Sequence, residues 1–361
     1  MSSTPHPVPY VSDDVFSPGE ALRDRLLELG MSQADLAARS NLSTKHVNQI
    51  IQGVAPITHE TALALERVTD TPARIWNSLE AAYRDALIRS PHEHLGPDDE
   101  AWLKTIPVAE LQARGLVIRS RSRNAVFQSV LAFFGVADRT AWERIWIKPI
   151  ASFRRSKVFR SHPGATAAWL RIGERDGRSR PSGPFDPKLF RQVLHEARSI
   201  TRLKDFSGEL VARCASAGVV LVFVREIPGC RAHGAARWLT PTKALIQLSD
   251  RHKREDGFWF SLFHEGGHLL LHSKRDMFVD GDGHDEDTLE ENADSFAADL
   301  LIPPSKASQL PLLKTTRDVE MFAEELGIAP GIVVGRLHND GHWDWNRGND
   351  LIRKVHILED R

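Results

Sequence analysis

The chain has 361 residues, 41% hydrophobic and 26% charged, which fits a soluble globular protein of two or three domains. Its net charge of −1 gives no global attraction to nucleic acid or to an anionic membrane. No run approaches a membrane span, the opening segment lacks the apolar core of a signal peptide, and Cys214 and Cys230 make no disulfide framework, so a cytoplasmic protein without membrane contact is expected.

Residues 1–16 carry three prolines and no periodicity and read as a flexible arm. From Ser17 the pattern turns helical. Ser17-Pro18-Gly19-Glu20 places a capping serine, a proline at the first helical position and a glutamate at the box position. That helix runs to Leu29 and is closed by Gly30. Ser32 caps a second, short helix to Arg39, and Thr44–Gln52 makes a third, ended by Gly53. A fourth covers Thr61–Val68, and a fifth opens at Pro72 and runs to about Ile88. Five short helices with a tight turn between the second and third predict a helix-turn-helix domain over 17–90.

This segment resembles the lambda-repressor-like (XRE) helix-turn-helix family, in its HigA antitoxin branch. The resemblance rests on Pro18-Gly19-Glu20, on Ser32-Gln33 with Leu36-Ala37, and on Ile50-Ile51 with Gly53. It extends through Pro56-Ile57-Thr58 with Glu60-Thr61-Ala62-Leu63 and through Trp76 with Leu79. It implies that the third helix enters the major groove of a double-stranded DNA operator while the second grips phosphate. Gln33 would then contact the backbone, and Thr44, Lys45, His46 and Gln49 would face base edges. The charge balance argues the other way. Residues 17–90 hold eight Lys/Arg against nine Asp/Glu, little with which to neutralise phosphate. A five-helix protein-interaction module is the competing reading. A homodimer, doubling the contacts, is the expected remedy if DNA is the partner.

Ser90–Asp99 is a polar, Pro/Gly-bearing boundary. A helical middle region over 91–180 follows, with helices expected near Val108–Gly115, Asn124–Phe134, Thr140–Trp146 and Gly164–Ile172. Between Arg119 and Arg160 ten Lys/Arg face two acids. This stretch could hold nucleic acid or an acidic partner, pack on the acidic loop Asp280–Glu291, or be a solvated face. Arg180–Pro184 reads as a linker. Beyond it come helical patterns at Pro187–Leu203 and Phe206–Ala217. Strands are expected at Val219–Val224, Ala235–Leu239 and Ala244–Leu248, and two further helices at Val319–Gly327 and Pro330–Leu337.

Immediately after the strands lies the HExxH motif His264-Glu265-Gly266-Gly267-His268. On a helix, residues four apart share a face, so both imidazoles can grip one metal ion. Glu265 sits off that face. Zn²⁺ with three protein ligands and one open position would acidify a water, on which Glu265 would act as general base before handing a proton to the leaving amine. Two glycines inside the helix cost stability and predict the close approach of another backbone, such as a sheet edge or a substrate strand. His272 is too far along the axis to share the ion with His264, about 12 Å at ~1.5 Å per residue, and is expected beside the ligands. The helix beginning near Glu290 offers the better third ligand, Glu290, with Glu291 as fallback and Asp294 placed to orient a ligand imidazole.

These two stretches resemble the ImmA/IrrE metallo-endopeptidases, which are similar in architecture to gluzincins. The match comprises His264, Glu265, Gly267, His268, Leu271 and His272, then Glu290, Ala293, Asp294, Phe296, Ala297, Leu300, Leu301 and Pro303. Asn292 departs from the pattern, where a second Glu is common. The middle region resembles long-chain members that join the two domains, through Leu131–Gly135, Ala168–Gly173 and Pro184–Asp186.

The expected fold is mainly α with a small β-sheet (α+β). A five-helix domain is followed by helices, by a gluzincin-like domain over 181–345 and by a tail over 346–361. The resemblance implies a DNA-binding regulator that cleaves a repressor or antitoxin-like protein. The alternative is an antitoxin-like repressor, with a toxin or repressor partner, whose metallo-domain senses zinc or a ligand and cuts little.

Overall fold

The computed structural model describes residues 17–89, 95–147, 162–249, 253–272 and 286–355. The expected arm at 1–16, the basic residues Lys148–Arg160, the carboxylates at 280–285 and the end of the expected tail lie outside those residues. The chain separates into two compact units, dividing between His94 and Leu95.

The first unit is five helices: α1 (Pro18–Glu28), α2 (Gln33–Ser40), α3 (Thr44–Ile51), α4 (His59–Thr69) and α5 (Ala73–Arg89). Their starts follow from local capping. Ser17 and Glu20 satisfy each other's backbone amides, and Ser32 and Asp35 do the same for α2. Ser43 accepts from the His46 amide at the start of α3. Asn41, at φ 56°, is the left-handed residue that ends α2 and turns the chain. Leu22, Leu36, Val47, Ile50, Leu65 and Trp76 are among the buried core. α1 lies so close to α3 that a side chain at position 19 would strike the carbonyls of Ile50 and Ile51, which explains Gly19.

The second unit opens with α6 (Pro97–Thr105), α7 (Val108–Ala113), α8 (Arg123–Phe134) and α9 (Arg139–Trp142), the last running into a π-turn at Glu143–Ile147. It continues with α10 (Pro163–Ser179), α11 (Pro187–Ile200) and α12 (Ser207–Ser216). Strands β1 (Val219–Val224), β2 (Gly234–Thr240) and β3 (Lys243–Ser249) follow. Then come α13 (Glu255–Leu271), α14 (Glu286–Leu301), α15 (Pro304–Ala307), α16 (Thr316–Leu326) and α17 (Pro330–Asn339). The architecture is α+β, as expected.

The sheet order is β1-β3-β2, with β1 parallel and β2 antiparallel to β3, so β2 is an edge. Alternation sends successive side chains to opposite faces. Val219, Leu221, Ala244 and Ile246 pack with α11–α14, α16 and α17. Val220, Val222, Val224 and Leu245 pack with α6 and α8–α10. Both faces of β1 are covered, which is why its sequence is a continuous apolar run. The Arg180–Pro184 segment therefore joins two helical layers that share one sheet.

Three details depart from expectation. α6 starts inside the segment read as a boundary, because Pro97 opens it and Asp98, Asp99 and Glu100 favour its positive end. The helix expected at Thr140–Trp146 changes to π geometry after Trp142. α10 continues to Ser179 rather than stopping near Ile172. Its Gly173 and Gly177 are packing contacts, where α10 rides against Gln247 and Leu245 of β3. The Gln247 Nε2 donates to the Trp169 carbonyl at 2.7 Å, while its Oε1 is buried without a hydrogen-bond partner among the described residues.

Candidate metal centre and nucleic-acid interface

α13 carries Phe258, Trp259, Leu262 and Phe263 into the core, and this apolar anchoring fixes which way its polar face points. That face presents His264 and His268, whose Nε2 atoms stand 3.0 Å apart. α14 packs along α13 and brings Glu290 to both. Its Oε2 lies 3.3 Å from His264 Nε2 and its Oε1 3.4 Å from His268 Nε2. Among the described residues these three form the group able to hold a metal ion. Donors on a tetrahedral Zn²⁺ with bonds of ~2.1 Å would stand roughly 3.4 Å apart, so the donor set and its spacing fit zinc. Glu291 is exposed and outside this group.

Asp294, one turn beyond Glu290, accepts from His264 Nδ1 at 2.8 Å. That bond fixes the tautomer that turns the Nε2 lone pair toward His268 and Glu290. His272 Nε2 donates to the Leu289 carbonyl at 3.2 Å, one residue before Glu290. Burial pushes the His264 pKa down, but the Asp294 and Glu290 carboxylates outweigh it and hold it up at about 10. Burial pushes the Glu290 carboxyl up, and hydrogen bonds from the two imidazoles reverse this and hold it well below the usual range.

Glu265 is buried, and burial raises its carboxyl above the ordinary range against the opposing pull of His264 and His268. The β2 edge holds it: the Ala236 amide donates to its carboxylate. At Gly234 an added Cβ would lie 2.7 Å from Glu265 Oε1. Sequence reasoning missed Gly234 and Ala236, since nothing in a short strand marks which residue meets a distant glutamate. The helix glycines also have a different neighbour from the expected sheet edge. An added Cβ at Gly267 would meet Ala293 and Phe296 of α14, and one at Gly266 would meet the Leu194 side chain of α11. These contacts let α13 and α14 approach closely enough for one carboxylate to reach two imidazoles.

In the first unit, α3 buries Val47, Ile50 and Ile51 and turns its other side outward. Thr44 and Lys45 are exposed, and His46 and Gln49 are partly exposed. Gln33 is the first residue of α2, directly after its cap. Asn48, not singled out from the sequence, is also exposed, three residues beyond Lys45 on the outward side. Its amide has the donor–acceptor pair that suits adenine.

Residues 220–338 match the family described as IrrE N-terminal-like domain, a peptidase M78 family, and residues 22–76 match the helix-turn-helix family. The chain therefore carries an XRE-type helix-turn-helix domain at 22–76 and an IrrE-like domain at 220–338. Among solved structures, an addiction module antidote protein of a HigA family from Coxiella burnetii is 35% identical. That match covers 21% of this chain and 86% of that one, with a TM-score of 0.20. The Pseudomonas aeruginosa antitoxin HigA with the higBA promoter is 31% identical, covering 23% and 98%, with a TM-score of 0.21. A Pseudomonas aeruginosa protein in complex with its operator DNA is 32% identical, covering 23% and 97%, with a TM-score of 0.20. No curated protein matches the chain. Among the described residues, no helix is long and apolar enough to cross a membrane.

Proposed function

We propose that the protein is a cytoplasmic, homodimeric regulator that binds a double-stranded DNA operator through α2 and α3. Its IrrE-like unit is a zinc-dependent endopeptidase acting on a repressor or antitoxin-like protein. The observation that carries the enzymatic reading is the meeting of His264, His268 and Glu290 beside the buried Glu265. The two imidazoles and Glu290 would hold zinc. When bound, zinc supplies a Lewis acid that polarises a carbonyl and acidifies water. Glu265 takes the proton from the attacking water and returns it to the leaving amine. Asp294 keeps His264 in the ligating tautomer, and His272 steadies the start of the Glu290 turn. The outer edge of β2, next to Glu265, can take an extended chain as an added strand where its amides are not already given to Glu265, which recognises backbone more than sequence.

DNA binding is supported by the outward polar face of α3 and by the helix-turn-helix match over 22–76. Lys45 and Gln49 would contact base edges, and Gln33 a phosphate.

The deciding experiment compares wild type and Glu265→Gln in cells for the abundance of repressor-like partner proteins and for promoter output. Partner fragments that vanish in the variant establish the peptidase. Identical partner levels and promoter output across stress conditions would refute cleavage and leave a zinc- or ligand-sensing repressor.

A further inference from the structure

We infer that a cleft beside β2, sharing no residue with the metal cluster, binds a phosphate group. The cleft has a volume of about 790 Å³, and its lining includes Trp146, Arg171, Glu174, Arg178 and Arg237. Its charges do not balance. Glu174 Oε1 lies 3.3 Å from Arg171 Nη1 and accepts from Arg178 Nε at 2.9 Å. Its Oε2 lies 3.6 Å from Arg237 Nη2. Glu174 is the one acid among the lining residues and it is buried, so three guanidinium groups share a single negative charge.

Arg237 makes the deficit specific. Its Nη1 is buried with no acceptor among the described residues. The guanidinium carbons of Arg237 and Arg171 lie 5.2 and 5.9 Å from the Trp146 ring centroid. The ring offsets part of the charge but accepts no conventional hydrogen bond in its plane. Burial lowers the Arg237 pKa, Glu174 opposes that, and Arg178 and Arg171 add to the fall. Arg171 is held in place by its Nε donating to the Phe133 carbonyl at 2.7 Å. It also lies over Gly135, where an added Cβ would come 2.9 Å from Nη2.

Two surplus positive charges match a phosphate dianion, and the guanidinium fork matches its oxygens in pairs. Free phosphate and a phosphorylated small molecule share this chemistry.

Isothermal titration of the full chain with inorganic phosphate at constant ionic strength tests the inference. Saturable binding at one site per chain is expected. Arg237→Met and Arg171→Met should each weaken it about tenfold or more, as for the loss of a charge-assisted bond. Glu174→Gln should tighten it, because a competing carboxylate is gone. His264→Ala and Gln33→Ala should leave it unchanged. Tighter binding of phenyl phosphate than of phosphate would identify an organic phosphate as the ligand, and equal or weaker binding the free ion. If circular dichroism shows that either arginine variant fails to fold, Arg178→Met, at a side chain 55% exposed, must show the weakening instead. Absence of saturable binding, binding that survives the arginine changes, or binding that depends on His264 would overturn the inference.

Discussion

The two units place their candidate functional groups in opposite ways. On the helix-turn-helix, most of the groups lie on the outward side of α3, with Gln33 at the start of α2, while Val47, Ile50 and Ile51 hold α3 from behind. In the second unit they converge from separate elements around the buried Glu265: His264, Glu265 and His268 from α13, the half-buried Glu290 and exposed Asp294 from α14, and the Ala236 amide from β2. A surface that reads DNA can be built by one amphipathic helix. A site that must dehydrate and position charged groups needs several elements, and its weak points lie where those elements touch.

The sharpest way to break the comparison is to remove the converging donors. The His264→Ala/His268→Ala double variant should fall from about one zinc per chain to none, by metal analysis of purified protein. Stoichiometric zinc in the double variant would remove the proposed site.

Next in size is the proton carrier. Glu265→Gln keeps the shape of the side chain and leaves His264, His268 and Glu290 untouched. Zinc content should stay near one per chain while cleavage of a partner protein falls by at least ~10²-fold. A loss of zinc in this variant would show that Glu265 holds the metal rather than moving a proton.

What could be read without coordinates divides along the same line. Helix starts in the first unit are local events, so Ser17 and Ser32 marked those of α1 and α2 to within a residue or two. On α13 the spacing of His264 and His268 already put both on one face. The choice between Glu290 and Glu291 could not be made that way, because adjacent residues on a helix differ by only about 100° in direction. The contact of Gly267 with Ala293 turns Glu290 toward the histidines and leaves Glu291 exposed. The full length of α10 was not legible for a related reason, which lies at Gly173 and Gly177. In sequence they weaken a helix, and in space they let α10 lie against β3.

The outward unit should respond by smaller steps. Lys45→Ala and Gln49→Ala should each cost about 1–3 kcal/mol of preference for the operator over random duplex, measured by competition in gel shifts. Lys45→Ala should also flatten the salt dependence slightly, since it removes one of few cations. Equal losses on operator and random DNA would show that these residues touch only the backbone. No sequence preference by the full chain at low salt would end the regulator reading.

The smallest expected effect distinguishes direct from indirect support within the metal centre. Asp294 holds the ring of a proposed ligand, whereas His272 holds only the Leu289 carbonyl beside one. Removing a partner that orients a ligand typically weakens metal affinity 10–100-fold, so Asp294→Ala should fall in that range. His272→Ala removes one hydrogen bond, for which a net contribution of about 1 kcal/mol corresponds to less than tenfold. Zinc competition against a chelator measures both. The order should be Asp294→Ala weaker than His272→Ala, with His272→Ala retaining most of its metal at micromolar protein. If His272→Ala instead lost zinc as fully as the double-histidine variant, His272 would itself be a ligand. The 3.2 Å bond to Leu289 would then have to break on metal binding, and the three-residue cluster would be the wrong set.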